Sequence, residues 1–119
     1  MRRPSVLLAE AEADTEVVVG CLLDRAGFDV TTVGDIWAVP GIVCAHRPDI
    51  ILIDVVPPEG AGLQLIRQLR ADPGWDRIPI VALTTGNDCV VHAIRAGASA
   101  VVRKPDDVGR IADTVSQNL

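Results

Sequence analysis

Four polar side chains directly follow or close apolar runs of the sequence, and their types suit phosphoryl chemistry. Glu10 follows VLLA, Asp54 lies in IILIDVV, Thr84 closes VALT and Lys104 closes AVVRK. Carboxylates are preferred ligands of hard cations such as Mg²⁺, and a carboxylate can also attack phosphorus as a nucleophile. A lysine and a hydroxyl can hold the oxygens of a transferring phosphoryl group. The combination therefore predicts a phosphoryl-transfer site.

The apolar runs alternate with helical segments in five strand–helix repeats. Strands are predicted at Val6–Ala9, Phe28–Val33, Pro48–Val56, Ile78–Thr85 and residues 100–105. This alternation is typical of a parallel sheet covered by helices on both faces. In such sheets, ligands bind beyond the carboxyl ends of the strands. Because the four polar residues all lie at strand ends, the fold is expected to bring them together.

Several residues are expected to begin or end the helices. Asp14 is predicted to cap the first helix and Gly27 to end it. Pro40 fits the first turn of the second helix, and Asp106 or Asp107 is predicted to cap the last. The inward side of that last helix is predicted to carry Val108, Ile111, Ala112, Val115 and Leu119.

The composition indicates one domain, residues 1–119, with an aliphatic core. Hydrophobic residues make up 49% of the chain but aromatic residues only 3%, which suits the aliphatic strands of a buried parallel sheet. The net charge of −5 argues against nucleic-acid binding through this domain, because phosphate contacts need a basic surface.

The cysteines and the lengths of the apolar runs indicate the cellular compartment of the protein. Cys21, Cys44 and Cys89 are scattered, which argues against a disulfide framework or a zinc motif. We predict buried free thiols in a reducing cytoplasm. No apolar run reaches the length of a signal peptide core or a membrane span, so no membrane association is expected.

Three stretches resemble the receiver domains of bacterial two-component response regulators, and the resemblance covers essentially the whole chain. PDIILIDVVPPEGAG is similar to the segment around the family's phosphoacceptor aspartate, which places the acceptor at Asp54. IVALTT resembles the strand that ends in the family's Thr or Ser, here Thr84. AGASAVVRKP is similar to the stretch ending in the family's Lys-Pro pair, here Lys104 and Pro105, whose peptide bond is expected to be cis.

The resemblance implies a fold, an activity and partners. The fold is a flavodoxin-like three-layer α/β/α sandwich of five parallel strands in the order 2-1-3-4-5, with five helices. A histidine kinase or phosphotransfer protein would pass a phosphoryl group to Asp54 with Mg²⁺ as cofactor. The domain would then signal to a C-terminal effector domain or a downstream protein. Such a domain is not an enzyme, and at most assists its own phosphorylation and dephosphorylation.

The loop after the first strand departs from the family pattern. The family has a pair of acids there, usually followed by Glu, whereas this chain has Glu10-Ala11-Glu12. The resemblance implies Glu10, Asp54 and the backbone carbonyl of Val56 as metal ligands, but Ala11 lacks the carboxylate that the family uses. Glu12 stays open as a substitute, because residues 10 and 12 point the same way in an extended chain. We therefore expect weakened Mg²⁺ binding.

Two other functions are weighed against a phosphoacceptor. A pseudo-receiver would keep the fold and Asp54, but with a metal site weakened by Ala11 it would act as a protein-interaction module. A flavin-binding electron carrier of the same sheet order would need a hydroxyl- and glycine-rich phosphate loop after the first strand. Three carboxylates between positions 10 and 14 would instead repel a phosphate there.

Overall fold

Five parallel strands form one sheet in a computed structural model of the chain, which describes residues 3–55, 60–85 and 88–119. The strands are β1 (Ser5–Ala9), β2 (Asp29–Val33), β3 (Ile50–Val55), β4 (Ile80–Thr85) and β5 (Ala100–Lys104). They pair in the order β2-β1-β3-β4-β5. This confirms the predicted order 2-1-3-4-5. The order reverses between β1 and β3, which is where sheets of this kind bind their ligands.

The described residues form five helices, as predicted, of which four connect successive strands and the fifth follows β5. They are α1 (Ala13–Arg25), α2 (Val39–Ala45), α3 (Ala61–Ala71), α4 (Asp88–Ala96) and α5 (Ile111–Asn118), with short 3-10 helices at Ile36–Ala38 and Val108–Arg110. Within the residues described, none of these helices has the length and apolar character needed to cross a bilayer.

The predicted helix ends are partly confirmed. Gly27 follows α1 with a φ of 98°, a conformation that glycine adopts at little cost, and Pro40 lies in the first turn of α2. The predicted cap at Asp14 is wrong, because Glu12 is the N-cap of α1 and Asp14 lies inside its first turn. The cap predicted at Asp106 or Asp107 is confirmed in position only. Asp107 is the N-cap residue of the 3-10 helix that leads into α5, but its side chain makes no capping hydrogen bond and pairs with Arg103 instead.

Aliphatic side chains bury both faces of the sheet. On one face, Leu7 and Ile53 belong to a cluster with residues of α2, α3 and α4. On the other face, Leu8 and Leu52 belong to a cluster with residues of α1 and α5. Because neighbouring strand residues point to opposite faces, both faces are apolar and the strands read as continuous aliphatic runs. Burying each large aliphatic side chain contributes about 1.5–3 kcal/mol before entropy is counted.

Two predictions about which side chains are buried need correction. Cys21 and Cys44 are exposed, whereas Cys89 is buried, and all three are free thiols. Cys21 is two residues from both Val19 and Leu23, the buried residues of α1, so it lies on the opposite side of that helix. Leu119, at the end of α5, is 52% exposed, because it lies beyond the last buried turn of the helix.

Arg70 ties the last turn of α3 to the chain around β4 and β5. Its guanidinium donates to the carbonyl oxygens of Gly97 at 2.7 Å, Asp76 at 3.1 Å and Ile78 at 2.6 Å, and to Ser99 Oγ at 3.1 Å. One side chain thus holds the segment before β4 and the segment before β5 together. Sequence pattern did not point to this role, because an arginine in the last turn of a helix is ordinary.

Arg70→Met is expected to lower the free energy of unfolding by about 2 kcal/mol, because the carbonyl oxygens lose charged donors. Arg67→Met is the matched control, since Arg67 is exposed on the same helix, and it is expected to change stability by less than about 0.5 kcal/mol. Urea denaturation of both variants measures the difference, and equal denaturation midpoints would contradict the expectation.

Candidate functional site

Glu10, Asp54 and Lys104 meet at the carboxyl edge of the sheet. Lys104 Nζ lies 2.9 Å from Asp54 Oδ1, and 3.2 and 3.1 Å from Glu10 Oε1 and Oε2. The Glu10 side chain is inaccessible to solvent, and only 7% of Lys104 and 9% of Asp54 side-chain surface is exposed. One ammonium thus faces two largely buried carboxylates. If both acids are ionised, one negative charge at the site is not offset by Lys104.

Lys104 reaches both acids because of its place at the end of β5. Its register partner is Thr85 on the neighbouring strand β4, so the side chain crosses the end of β4 to reach β3 and β1. The long aliphatic stem of lysine suits this path, since the stem packs in the interior while the charged end meets the acids. The peptide bond between Lys104 and Pro105 is cis, as the resemblance implied.

The charges at the site act on each other through low-dielectric surroundings. Burial raises the pKa of Glu10, opposed by the hydrogen bond from the Glu12 amide, and Asp54 raises the pKa further. Burial lowers the pKa of Lys104, but its hydrogen bond and charge interaction with Asp54, and then those with Glu10, outweigh burial and give a raised pKa. The Lys104 ammonium therefore stays charged at neutral pH.

The raised pKa of Glu10 predicts a pH-dependent stability. The folded chain binds the Glu10 proton more tightly than the unfolded chain, whose reference pKa is 4.5. The stabilisation from this proton is therefore present below pH 4.5 and lost as the pH rises through the folded pKa. Relative to Glu10→Gln, the wild-type free energy of unfolding should fall between pH 4.5 and neutral pH. Urea denaturation in chelator tests this, and a flat or rising difference would contradict it.

Thr84 lies near the end of β4, with its hydroxyl buried in the interior. The residue is fully buried, and Oγ1 has no hydrogen-bond partner among the residues that the structure describes. In register, Thr84 lies opposite Val55, the residue after Asp54 on β3. An unsatisfied buried hydroxyl costs about 1–3 kcal/mol and is uncommon in folded proteins. Within the part of the chain that the structure describes, no acceptor uses the proton of this hydroxyl.

A cavity of about 290 Å³ opens beside the acids. Its wall includes Glu10, Ala11, Asp54, Gly34, Asp35, Ile36, Ala9, Ala61 and Gly62. A Cβ at Gly62 would collide with the backbone carbonyl oxygen of Asp54, so glycine is needed for α3 to approach β3 this closely. The remaining small residues of the wall keep the space in front of the Asp54 carboxylate open.

Asp35 lies on the cavity wall although the sequence analysis did not select it. It follows β2, which pairs with β1, so the end of β2 adjoins the loop that carries Glu10. The signal that could have found it is the same one that identified the others, namely a polar residue just after a strand. Asp35 Oδ1 accepts a hydrogen bond from the Trp37 amide at 3.0 Å, which places Asp35 as the cap of the following 3-10 helix.

Glu12, the other side chain predicted as a possible metal ligand, lies outside the cavity beside Asp54. Glu12 is exposed, and its amide donates to Glu10 Oε1 at 3.2 Å. It lines a separate small cleft with Thr15, Thr85, Lys104 and Pro105, and it does not line the cavity beside Asp54. Val56 lies outside the described residues, so its carbonyl remains a prediction, as does the ligand role of the Glu12 side chain.

The donor set allows a test of whether Mg²⁺ fits. Mg²⁺ commonly keeps several waters and binds through one or two carboxylates. Of the three acids on the cavity wall, Asp35 caps the following 3-10 helix, which leaves Glu10 and Asp54 as the acids free of a capping role. The cavity has room for waters, and Ala11 adds no side-chain ligand atom to the wall. Among the described residues, no three His, Cys, Asp or Glu side chains are grouped to hold a metal. The residues thus fit a Mg²⁺ ion that keeps several of its waters and is bound by two carboxylates. We expect such an ion to bind less tightly than one with three carboxylate ligands.

Comparison with protein families then identifies the chain. The model of the family described as "response regulator receiver domain" matches residues 6–116. The chain belongs to this family. Receiver domains are signalling domains of two-component systems.

Curated relatives of the receiver domain are longer than it is. The DNA-binding response regulator MtrA of Mycobacterium tuberculosis is 33% identical over 105 residues, which cover 87% of this chain and 45% of MtrA. The phosphate regulon transcriptional regulatory protein PhoB of Pseudomonas aeruginosa is 26% identical over 103 residues, covering 85% and 45%. The receiver domain thus spans about half the length of these two relatives.

Solved structures support the same fold for the receiver domain. The chemotaxis response regulator CheY4 of Vibrio cholerae superposes with a TM-score of 0.87 at 23% identity, covering 99% of this chain and 100% of that one. A response regulator from Thermotoga maritima gives a TM-score of 0.83 at 20% identity, covering 98% and 97%. At these identities the likeness concerns the fold alone.

Proposed function

We propose that this receiver domain accepts a phosphoryl group on Asp54 from a histidine kinase or phosphotransfer protein, with Mg²⁺ as cofactor. The observation that carries the proposal is the position of the Asp54 carboxylate. It lies 2.9 Å from the Lys104 ammonium and on the wall of an open cavity. The domain would pass the resulting change to an effector domain or a downstream protein, and a cytoplasmic location agrees with that role.

In the transfer step, an Asp54 carboxylate oxygen forms the new bond to phosphorus while the phosphorus–nitrogen bond of the donor's phosphohistidine breaks. The bonding pair leaves on the imidazole, which takes up a proton. A bound Mg²⁺, held by Glu10 and Asp54, would offset charge on the transferring oxygens. Lys104 exchanges its contact with Asp54 for one with a phosphoryl oxygen, and the Thr84 hydroxyl donates to another.

The product changes the charge of the site. The acyl phosphate carries about −1.5 to −2 charges at neutral pH, as a phosphoester does, in place of the single negative charge of the Asp54 carboxylate. Lys104 and Thr84 would then bind the phosphoryl oxygens, which shifts the ends of β4 and β5. Those ends lead towards α4 and α5, so the change at Asp54 would be passed to the surface that these helices form.

A small phosphoryl donor tests the proposal without a kinase. Acetyl phosphate with millimolar Mg²⁺ should add one phosphoryl group to the wild-type chain, measured by intact mass, and none to Asp54→Asn. Asp35→Asn is the matched control, because Asp35 lines the same cavity and should leave the modification in place. A wild-type chain that stays unmodified under these conditions would reject phosphoryl acceptance.

The pseudo-receiver is the second candidate, and the interaction of Lys104 with both acids favours it. The ammonium already contacts Glu10 and Asp54, so charge in the site is partly offset without a metal, while Ala11 contributes only a methyl group. The domain would then act as a protein-interaction module regulated by binding. An unmodified wild type together with a modified Ala11→Asp variant would select this function.

A further inference from the structure

Asp107 closes the segment that follows Lys104. Asp107 Oδ2 accepts from the Arg103 backbone N–H at 3.2 Å and from Arg103 Nε at 2.9 Å. The Asp107 N–H donates to the Arg103 carbonyl oxygen at 2.7 Å. One residue thus binds the backbone N–H, the backbone C=O and the side chain of the residue before Lys104.

These contacts lie at the outer side of the sheet. β5 is the last strand in the order β2-β1-β3-β4-β5, and an edge strand presents backbone groups that no neighbouring strand pairs. On the other side, β4 pairs with β5 up to Thr85 and Lys104. Asp107 therefore supplies, at Arg103, the hydrogen bonds that a further strand would supply, and the end of β5 is held from both sides.

The placement of the Lys104 ammonium depends on that strand end. Lysine has a flexible four-carbon stem, yet its ammonium contacts Glu10 and Asp54 at 2.9–3.2 Å. The stem starts one residue after Arg103, so a backbone shift there moves the ammonium relative to both acids. Contacts this short tolerate little displacement, because catalytic and binding geometry degrades within about 1 Å.

The Asp107 side chain makes hydrogen bonds other than those that its position in the sequence predicts. An aspartate before a helix commonly caps it, but Asp107 makes no capping bond to the 3-10 helix Val108–Arg110. Its carboxylate turns back to β5 instead. The Arg103 guanidinium beside it lowers the pKa of Asp107, so the carboxylate is charged at neutral pH and its hydrogen bonds are strengthened.

We propose that Asp107 is a positioning residue for Lys104, which holds the backbone of Arg103 so that the Lys104 ammonium stays between Glu10 and Asp54. This extends the proposed function, because it assigns a residue outside the site to the geometry that phosphoryl acceptance needs. The ion pair between Asp107 and Arg103 is partly exposed and contributes little to stability by itself. The loss of Asp107 should therefore affect the site more than the fold.

The test uses the fact that Lys104 is the only lysine among the 119 residues. Its ammonium gives a single side-chain signal in a nitrogen-edited NMR spectrum of the full chain. In Asp107→Ala, proton exchange of this ammonium with water should speed up by about fivefold or more, with a similar loss of beryllofluoride affinity in Mg²⁺. Asp107→Asn should restore both to within about twofold, since its amide oxygen still accepts from the Arg103 N–H.

Asp106→Ala is the matched control, because it removes the neighbouring exposed acid and should change neither readout. The proposal is overturned if Asp107→Ala matches the wild type within about twofold in both readouts, or if Asp107→Asn is affected as strongly as Asp107→Ala. If Asp107→Ala does not fold, Asp107→Glu replaces it. A faster ammonium exchange at an unchanged thermal midpoint then supports the proposal, and an unchanged exchange overturns it.

The two measurements can reject the role of Asp107 and the proposed function independently of each other. The ammonium spectrum needs no phosphoryl donor or analogue, so it reports on positioning in either case. A wild-type chain that binds no beryllofluoride would reject phosphoryl acceptance while the exchange measurement still decides the role of Asp107.

Discussion

Lys104→Met is expected to lower the free energy of unfolding by about 3 kcal/mol at neutral pH, because removing one partner of a buried ion pair leaves its counter-charge uncompensated. Here two carboxylates lose their common cation, and that of Glu10 is inaccessible to solvent. The variant should also fail to accept a phosphoryl group, since nothing replaces the ammonium that offsets charge on the transferring oxygens. Urea denaturation in chelator and intact mass after acetyl phosphate measure the two effects.

The double variant Glu10→Gln/Lys104→Met separates charge from packing. Removing the buried carboxylate as well as the ammonium should recover more than half of the lost stability, because the remaining Asp54 carries the only charge of the three. Arg95→Met is the control for removing a cation, since Arg95 is exposed on α4. A Lys104→Met variant within about 1 kcal/mol of the wild type would contradict the ion-pair account.

Ala11→Asp is expected to raise Mg²⁺ affinity by about tenfold or more, because an added carboxylate supplies both a ligand and a charge. A tenfold gain in affinity corresponds to about 1.4 kcal/mol of binding free energy. One close pair of opposite charges near a protein surface can contribute about 4 kcal/mol, so a single added carboxylate is sufficient. The residue already lines the cavity beside Glu10 and Asp54. The rate of phosphoryl transfer from acetyl phosphate at limiting Mg²⁺ should rise with the affinity.

Ala13→Asp is the matched control for that variant. Ala13 is exposed at the start of α1 and does not line the cavity, so it adds the same charge two residues away without adding a ligand. Calorimetric titration with Mg²⁺ should separate Ala11→Asp clearly from both Ala13→Asp and the wild type. Equal Mg²⁺ affinities for the two variants would show that the added charge alone raises the affinity. That result would contradict the expectation that residue 11 can supply a metal ligand.

Much of the fold could be predicted because its signals are local. The strands β3 and β4 read as aliphatic runs, and such runs between helical segments favour a parallel sheet. Asp54, Thr84 and Lys104 could be selected because strand ends meet at one edge of such a sheet. The motifs around them also resemble the receiver family, whose model matches the chain.

The remaining features depend on contacts between distant residues. The Lys104 ammonium bonds to both Glu10 oxygens across 94 positions of sequence, and no local pattern states which acid a lysine will choose. Asp107 was predicted as a cap because the preference is local, but the charged Arg103 competes for its carboxylate. Cys21 was predicted as buried from its apolar surroundings in the sequence, whereas it lies on the exposed side of α1.

Beryllofluoride binding followed by NMR tests the central claim most directly, because the analogue occupies the position of a phosphoryl group on an aspartate. With Mg²⁺ present, its addition should shift the Lys104 ammonium signal and the Thr84 methyl signal together, in a saturable way, and Asp54→Asn should abolish both shifts. If the two signals stay in place in the wild type, or if they shift equally in Asp54→Asn, then Asp54, Thr84 and Lys104 do not form one phosphoryl-binding site.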